Sequence, residues 1–200
     1  ESCGETLDMA ELQEIWESKL EPVYPYRKAG PTVEEINGKL TAPAAPKIGV
    51  AKPKVIIPVF PGTNCEYDTA KAFARAGADP EILVIRNLTP ADVTASCEAL
   101  VKAIGESQIV MLPGGFSGGD EPDGSAKFIA SFFRSPAVTD AVRDLLQHRD
   151  GLMLGICNGF QALIKLGLVP YGDIRPITAY DPTLTFNTIG RHQSMLVRTR

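Results

Sequence analysis

Charge of one sign, long apolar runs and cysteine are all in short supply in this 200-residue chain. Its 20 lysines and arginines against 24 aspartates and glutamates leave a formal net charge of −4. The bulk attraction that draws basic proteins to nucleic acid or acidic membranes is therefore missing, and neither is expected as a partner. No run approaches the roughly 18 apolar residues of a membrane span, since IGVAKPKVIIPVF (48–60) is broken by lysines and prolines. The opening residues, ESCGETLDMAEL, are acidic and lack both the basic start and the apolar core of a signal peptide. The four cysteines, Cys3, Cys65, Cys97 and Cys157, include no CxxC and no metal-like pairing with histidine, so no metal site is expected. Such sparse usage suits a reducing cytoplasm better than a disulfide framework. No internal repeat is visible, and the absence of a starting Met leads us to expect a piece of a longer chain.

What is present is globular in character, with 44% hydrophobic and 22% charged residues. Near the start, Leu12, Ile15, Trp16 and Leu20 recur at helical spacing and predict a helix over Asp8 to Leu20. Its apolar stripe is too small for a core and is expected to dock on something else. TAPAAPKIGVAKP (41–53) reads as a connector. From Lys54 onward strands and helices alternate. VIIPVF (55–60), EILVIR (81–86), QIVML (108–112) and GLMLGI (151–156) read as strands. Helices are expected from Tyr67 to Ala76, from Thr89 as N-cap through KAI, within 125–148, and from NGFQ to about Gly167. Apolar strands without alternation, separated by helices, predict an α/β domain over 54–200: a doubly wound, mostly parallel sheet of flavodoxin type. Residues 1–53 would form an extended N-terminal tail. The last stretch, LTFNTIGRHQSMLVRTR, looks like antiparallel strands and turns.

The chemistry concentrates in GLMLGICNGFQ (151–161). A core cysteine needs no glycines around it, and a disulfide needs a second cysteine nearby. A nucleophile lifted on a tight strand–turn–helix elbow needs Gly155 and Gly159, because side chains there would collide. At the start of a helix the reactive, anionic form of Cys157 is favoured, and the backbone N–H of Asn158 is placed to bind an oxyanion. LPGGFSGGD (112–120) ends another strand at the same sheet edge. Gly114 and Gly115 there either supply a second oxyanion donor or form a plain strand-to-helix loop. The Gly-Lys-Ser/Thr ending of a P-loop is absent. Cys65, in PGTNCEYD, lacks flanking glycines and reads as a packing residue. A cysteine nucleophile wants a base oriented by a third group, yet neither His148 nor His192 has a neighbour that marks it as one. Either the base lies beyond Arg200 or the chain is not a complete catalyst.

GICNGFQ matches the G-x-C-x-G-x-Q elbow of class I glutamine amidotransferases, and PGG after the preceding strand resembles their oxyanion loop. PVFPGTNCEYDTAKAFARAGA, MLPGGFSGGD and GICNGFQALIKLGLVP together resemble the glutaminase-domain family of phosphoribosylformylglycinamidine synthases, over about residues 54–200. ESCGETLDMAELQEIWESKL is similar to the end of the synthetase portion in that family. The resemblance implies that Cys157 forms a glutamyl thioester and releases ammonia. It further implies that Gln161 and Asn187 hold the amino-acid end of glutamine, with help from backbone around Arg191 and His192. The triad His and Glu are expected C-terminal to Arg200, so His192 is not given that role. No cofactor is expected in this domain; ATP and Mg would serve a synthetase domain of the same longer chain, which takes the ammonia to form an amidine in purine biosynthesis. Gly118 stands where the family loop often has an aromatic residue. Two other readings remain: a catalytically silent amidotransferase-like docking or regulatory module, and an amidotransferase serving another synthetase.

Overall fold

The computed structural model describes residues 4, 6–23, 49–117, 125–187, 189–194 and 196. The chain divides into two compact units, Glu1–Thr41 with Thr185–Arg200, and Ala42–Leu184.

Among its described residues the larger unit has four strands: β1 (Lys54–Val59), β2 (Asp79–Val84), β3 (Ile109–Leu112) and β4 (Leu152–Gly155). They lie in the order β2-β1-β3-β4, and every pairing is parallel. The β1 side chains explain the architecture. Val55, Ile56 and Ile57 are all fully buried, which requires cover on both faces of the sheet. Ile56 points into the larger cluster with Phe60, Val110, Leu112, Leu100, Phe133 and Leu166. Val55, Ile57 and Met111 pack on the other face with Ala70 and Phe73. The helices that supply this cover are α2 (Glu66–Arg75), α3 (Pro90–Glu106), α4 (Lys127–Phe133), α5 (Pro136–Arg143) and α6 (Asn158–Leu166), with a short α7 (Leu168–Tyr171) following. The doubly wound parallel sheet expected from the sequence is the fold observed.

Strand order reverses direction between β1 and β3. The chain runs outward from β1 to β2 and then returns to β3 on the other side. In an open parallel sheet that reversal separates the loops following the two strands and leaves a crevice at their carboxyl ends. The loops after β1, β3 and β4 all emerge at this edge.

Several boundaries differ from the sequence reading. β2 begins at Asp79, two residues early, and takes in Pro80. It is an edge strand, where a missing N–H is tolerated. The helical region 125–148 is interrupted at Arg134 and Ser135, because Pro136 cannot continue a helix from them and starts α5 instead. It ends in a π turn, Asp144–His148. Arg149 then fastens the end of α3. It donates to the carbonyls of Ile104 (2.9 Å), Ser107 (2.9 Å) and Gly105 (3.3 Å), while its Nε pairs with Asp144 at 2.6 Å.

The smaller unit contains α1 (Met9–Ser18), N-capped by the Asp8 carboxylate, which accepts from the N–H groups of Ala10 and Glu11. None of its residues is buried, and Trp16 is 80% exposed. The antiparallel strands expected near the C-terminus are not observed among the described residues of 184–196. A turn closed by Gly190 N–H to Asn187 O (2.9 Å) lies there instead. Alternating sequence makes a strand only when a neighbouring backbone completes the ladder. Most of the connector 41–53 and residue Gly118 lie outside the described residues. Among the described residues no helix is long and apolar enough to cross a membrane.

Candidate active site

Cys157 is the second of the two residues between the end of β4 and the first turn of α6, and it is the N-cap of that helix. Its backbone is left-handed and strained, at φ 53° and ψ −109°, a region that a non-glycine residue holds only when its surroundings over-determine it. Those surroundings are the two glycines. A Cβ on Gly159 would lie 2.0 Å from the Leu112 carbonyl oxygen, so α6 starts directly on the backbone of β3. A Cβ on Gly155 would lie 2.6 Å from the carbonyl group of Gly159. The turn therefore has no room for a side chain at either position. Gly159 N–H to Ile156 O (2.9 Å) and Gln161 N–H to Cys157 O (3.0 Å) close it. Between these glycines the Cys157 side chain is left exposed.

Gly114 faces this cysteine. A Cβ added there would be 3.3 Å from Cys157 Cβ. The Gly114–Gly115 loop is held from behind by the loop after β1. Asn64 N–H donates to Gly114 O and Phe116 N–H to Gly62 O, both at 2.9 Å, and Thr63 and Gly115 form an isolated antiparallel bridge. Gly115 has φ 123°, and a Cβ on it would meet Gly62 O at 2.5 Å. Thr63 in turn is fixed by the Phe60 N–H, which donates to its Oγ1 at 3.0 Å. This support is not foreseen in the sequence reading; the adjacent turn residues of PGTN were its signal.

Asn158 binds the site together through its side chain as well as its position at the helix start. It is 1% exposed. Its Oδ1 accepts from the Ser117 N–H at 3.3 Å, and its Nδ2 donates to Gln161 Oε1 at 3.1 Å. Cys157, Asn158, Gln161, Gly114 and Gly115 thus converge at the carboxyl ends of β3 and β4.

Asn187, Arg191 and His192 belong to the smaller unit, where Asn187 Nδ2 donates to Arg191 O at 3.0 Å. His148 is on the π turn ahead of β4, at the opposite end of that strand from Cys157, with Nδ1 3.4 Å from Asp144 Oδ1. Cys65 corrects the sequence reading: it is exposed, not packed, and takes φ 70° as the N-cap of α2. Its environment is fixed by Asn64, whose Oδ1 accepts from the Cys65 N–H at 2.8 Å. Cys97 is half-buried, with its sulfur 3.6 Å from Ser135 Oγ. Among the described residues no group of three or more His, Cys, Asp or Glu side chains is gathered to hold a metal ion.

Two perturbed carboxylates lie in the segment after α6, and a third, Asp144, is held low by the Arg149 guanidinium. The Arg143 guanidinium, bonded to Asp173 at 2.7 Å, holds that carboxyl below its ordinary range. Asp181 is pulled down to about 2, chiefly by the Thr178 N–H at 2.6 Å and then by the Tyr171 hydroxyl, which donates to it.

The fold and site together define an open parallel α/β domain with a strained, exposed cysteine at a strand-to-helix elbow and a glycine loop facing it. Residues 52–200 match the family described as the CobB/CobQ-like glutamine amidotransferase domain, and the chain belongs to that family. Similar curated proteins include the phosphoribosylformylglycinamidine synthase subunit PurQ of Dehalococcoides mccartyi, 35% identical over 144 residues that make up 72% of this chain and 51% of that protein. Another is the subunit PurQ of Sulfurimonas denitrificans, 40% identical over 123 residues, covering 58% of this chain and 44% of that protein. The chain thus spans about half the length of the curated relatives it matches. A solved structure of PurLQS from Thermotoga maritima is 27% identical, with a TM-score of 0.41, over 58% of this chain and 45% of that one.

Proposed function

We propose that this chain is the glutaminase part of a phosphoribosylformylglycinamidine synthase. Cys157 sulfur attacks the side-chain amide carbon of glutamine, and the carbonyl oxygen becomes an oxyanion that accepts from backbone N–H groups of the Gly114–Gly115 loop and Asn158. As the C–N bond breaks, the thiol proton leaves with the amide nitrogen as ammonia, and a glutamyl thioester remains. Water then attacks the thioester, giving glutamate and the free thiol. Gln161 holds the amino-acid end of the substrate. The base that handles these protons is the family's His–Glu pair, C-terminal to Arg200. Ammonia passes to a synthetase that uses ATP and Mg to convert formylglycinamide ribonucleotide to the amidine. That synthetase is part of the same longer chain, with residues 1–53 as its end and linker, and the work takes place in the cytoplasm.

The observation that carries this reading is the left-handed backbone of exposed Cys157 between two glycines that admit no side chain. A packing cysteine has no use for that strain, whereas a nucleophile needs its sulfur lifted clear of the sheet. The test uses the complete protein with its synthetase. Cys157→Ser should abolish amidine synthesis from glutamine while synthesis from added ammonia continues. Retention of glutamine-dependent synthesis would refute the assignment, and a silent docking module would release no glutamate even in the unmodified protein.

A further inference from the structure

Gln161 offers a substrate either a carbonyl acceptor or an amino donor, depending on which way its carboxamide is turned. We infer that Asn158 is a positioning residue that fixes this choice, so that Gln161 meets its ligand with N–H donors. The inference rests on the proposed placing of Gln161 against glutamine and goes further by stating what its side chain presents.

The argument starts from a group that cannot change its polarity. Ser117 N–H is a backbone donor in a buried residue, and it points at the Asn158 side chain from 3.3 Å. Only the oxygen of a carboxamide can accept that bond, so Oδ1 of Asn158 must face Ser117. Asn158 is 1% exposed, and turning it over would set two buried donors against each other, a costly arrangement. Its Nδ2 is therefore committed to the opposite side, where it lies 3.1 Å from the Gln161 side chain. Nδ2 has hydrogens and no lone pair to offer, so Gln161 must answer with Oε1. The end of Gln161 that Asn158 does not engage is its Nε2 amino group. A polarity set by one backbone N–H in the glycine loop is thus relayed through two side chains to the substrate side of the elbow. The chemical group that suits it is an acceptor oxygen, such as an amino acid's carboxylate, and a bound ammonium group is disfavoured there.

Asn158→Asp tests the relay with little change of shape. One carboxylate oxygen still accepts from Ser117, but the other can only accept, so Gln161 turns to donate through Nε2 and presents Oε1 to the ligand. Gln161→Glu tests the same point from the other end: the substituted carboxylate still accepts from Asn158 and offers the ligand an oxygen in place of a donor. Measured on the complete protein with its synthetase, each variant should raise KM for glutamine about tenfold or more, the loss expected for one hydrogen bond to a charged group, with a much smaller effect on kcat. Unchanged alkylation of Cys157 by iodoacetamide and an unchanged thermal midpoint would exclude an effect on the thiol or on the fold. Gln161→Ala separates the two levels of the argument. If it leaves KM unaltered, the placing of Gln161 against glutamine fails, and this inference with it. If Gln161→Ala raises KM but Asn158→Asp does not, the relay alone is overturned. A fall in kcat and thermal midpoint together in Asn158→Asp, with KM unmoved, would also overturn it, because Asn158 would then hold the fold without orienting Gln161.

Discussion

Gly159→Ala is the smallest change that tests whether the elbow depends on backbone contact between α6 and β3. A Cβ at position 159 would sit 2.0 Å from Leu112 O, 2.6 Å from Leu112 C and 2.8 Å from Leu112 Cβ. Two of these atoms are backbone of a buried strand, so they cannot swing aside as the end of a flexible side chain can. Ordinary contact begins near 3.4 Å, and the start of α6 would have to withdraw from β3 by more than about 1 Å. Overpacking of this kind typically costs about 1–3 kcal/mol, and a rigid strand leaves little relaxation, which puts Gly159→Ala at the upper end. For a domain of this size about 3 kcal/mol lowers the thermal midpoint by roughly 6–12 °C. The same withdrawal carries Cys157 and Asn158 away from Gly114, and a displacement of about 1 Å at a reacting group can cost on the order of 10²-fold in rate. Thermal unfolding and glutamate release by the complete protein are the two measurements. Gly105→Ala is the control, since a Cβ there meets nothing within 4 Å and its φ is not left-handed. In the last turn of α3 this change should leave stability unchanged or raise it by up to about 0.5 kcal/mol. If Gly159→Ala unfolded at the temperature of the unmodified protein and kept its rate, the close approach of α6 to β3 would not be what holds the elbow.

Iodoacetamide should label Cys65 and Cys157, the two cysteines exposed among the described residues, whereas an electrophilic glutamine analogue should label Cys157 alone. Peptide mapping that finds the analogue mainly on Cys65 would remove Cys157 as nucleophile. Arg149→Met should cost about 2 kcal/mol in denaturant unfolding, because it strips a charged donor from three carbonyls at the end of α3; an unchanged midpoint would mean that water replaces it freely. The acid limb of stability should depend on Asp181, whose folded pKa of about 2 is below its ordinary 3.8. The lowered value means that its contribution is complete above about pH 4 and is lost as pH falls towards 2. Asp181→Asn should therefore flatten the loss of stability between pH 4 and 2, and superimposable curves would refute it.

The fold was legible because its strands are short apolar blocks and its helices carry their own punctuation. Thr89 does cap α3, with its side chain accepting from Asp92 N–H, and Gly167 does end α6 in a left-handed conformation. Both signals are local, decided by a residue and its near neighbours. The errors arose where the decisive partner was remote. Pro80 reads as a strand breaker unless β2 is known to lie at the sheet edge, which depends on strand order. The alternation in LTFNTIGRHQS suggested strands, but no ladder partner is present among the described residues to make one.

The same distinction governs the candidate site. The elbow was legible since its requirement, two glycines around one cysteine, is written within five residues. What holds the glycine loop in place was not, because Asn64 and Gly114 are 50 positions apart and Ser117 and Asn158 are 41 apart. Neither pair has a sequence signature; each exists because the β1/β3 reversal and the β3/β4 pairing bring three loops to one sheet edge. Cys65 illustrates the consequence. In the sequence it is a weaker copy of Cys157, a cysteine between a strand and a helix, and both cysteines are exposed with positive φ. They differ in their backing. Cys157 is set between Gly155 and Gly159 and faces Gly114, where an added Cβ would lie 3.3 Å from its own, whereas the loop of Cys65 uses the backbone of Gly62 and Asn64 to clamp that same glycine loop. The loop that carries Cys65 thus commits its N–H and C=O groups to positioning Gly114 and Gly115. Two similar motifs on one sheet edge therefore serve one proposed nucleophile, with the second motif acting as part of its scaffold.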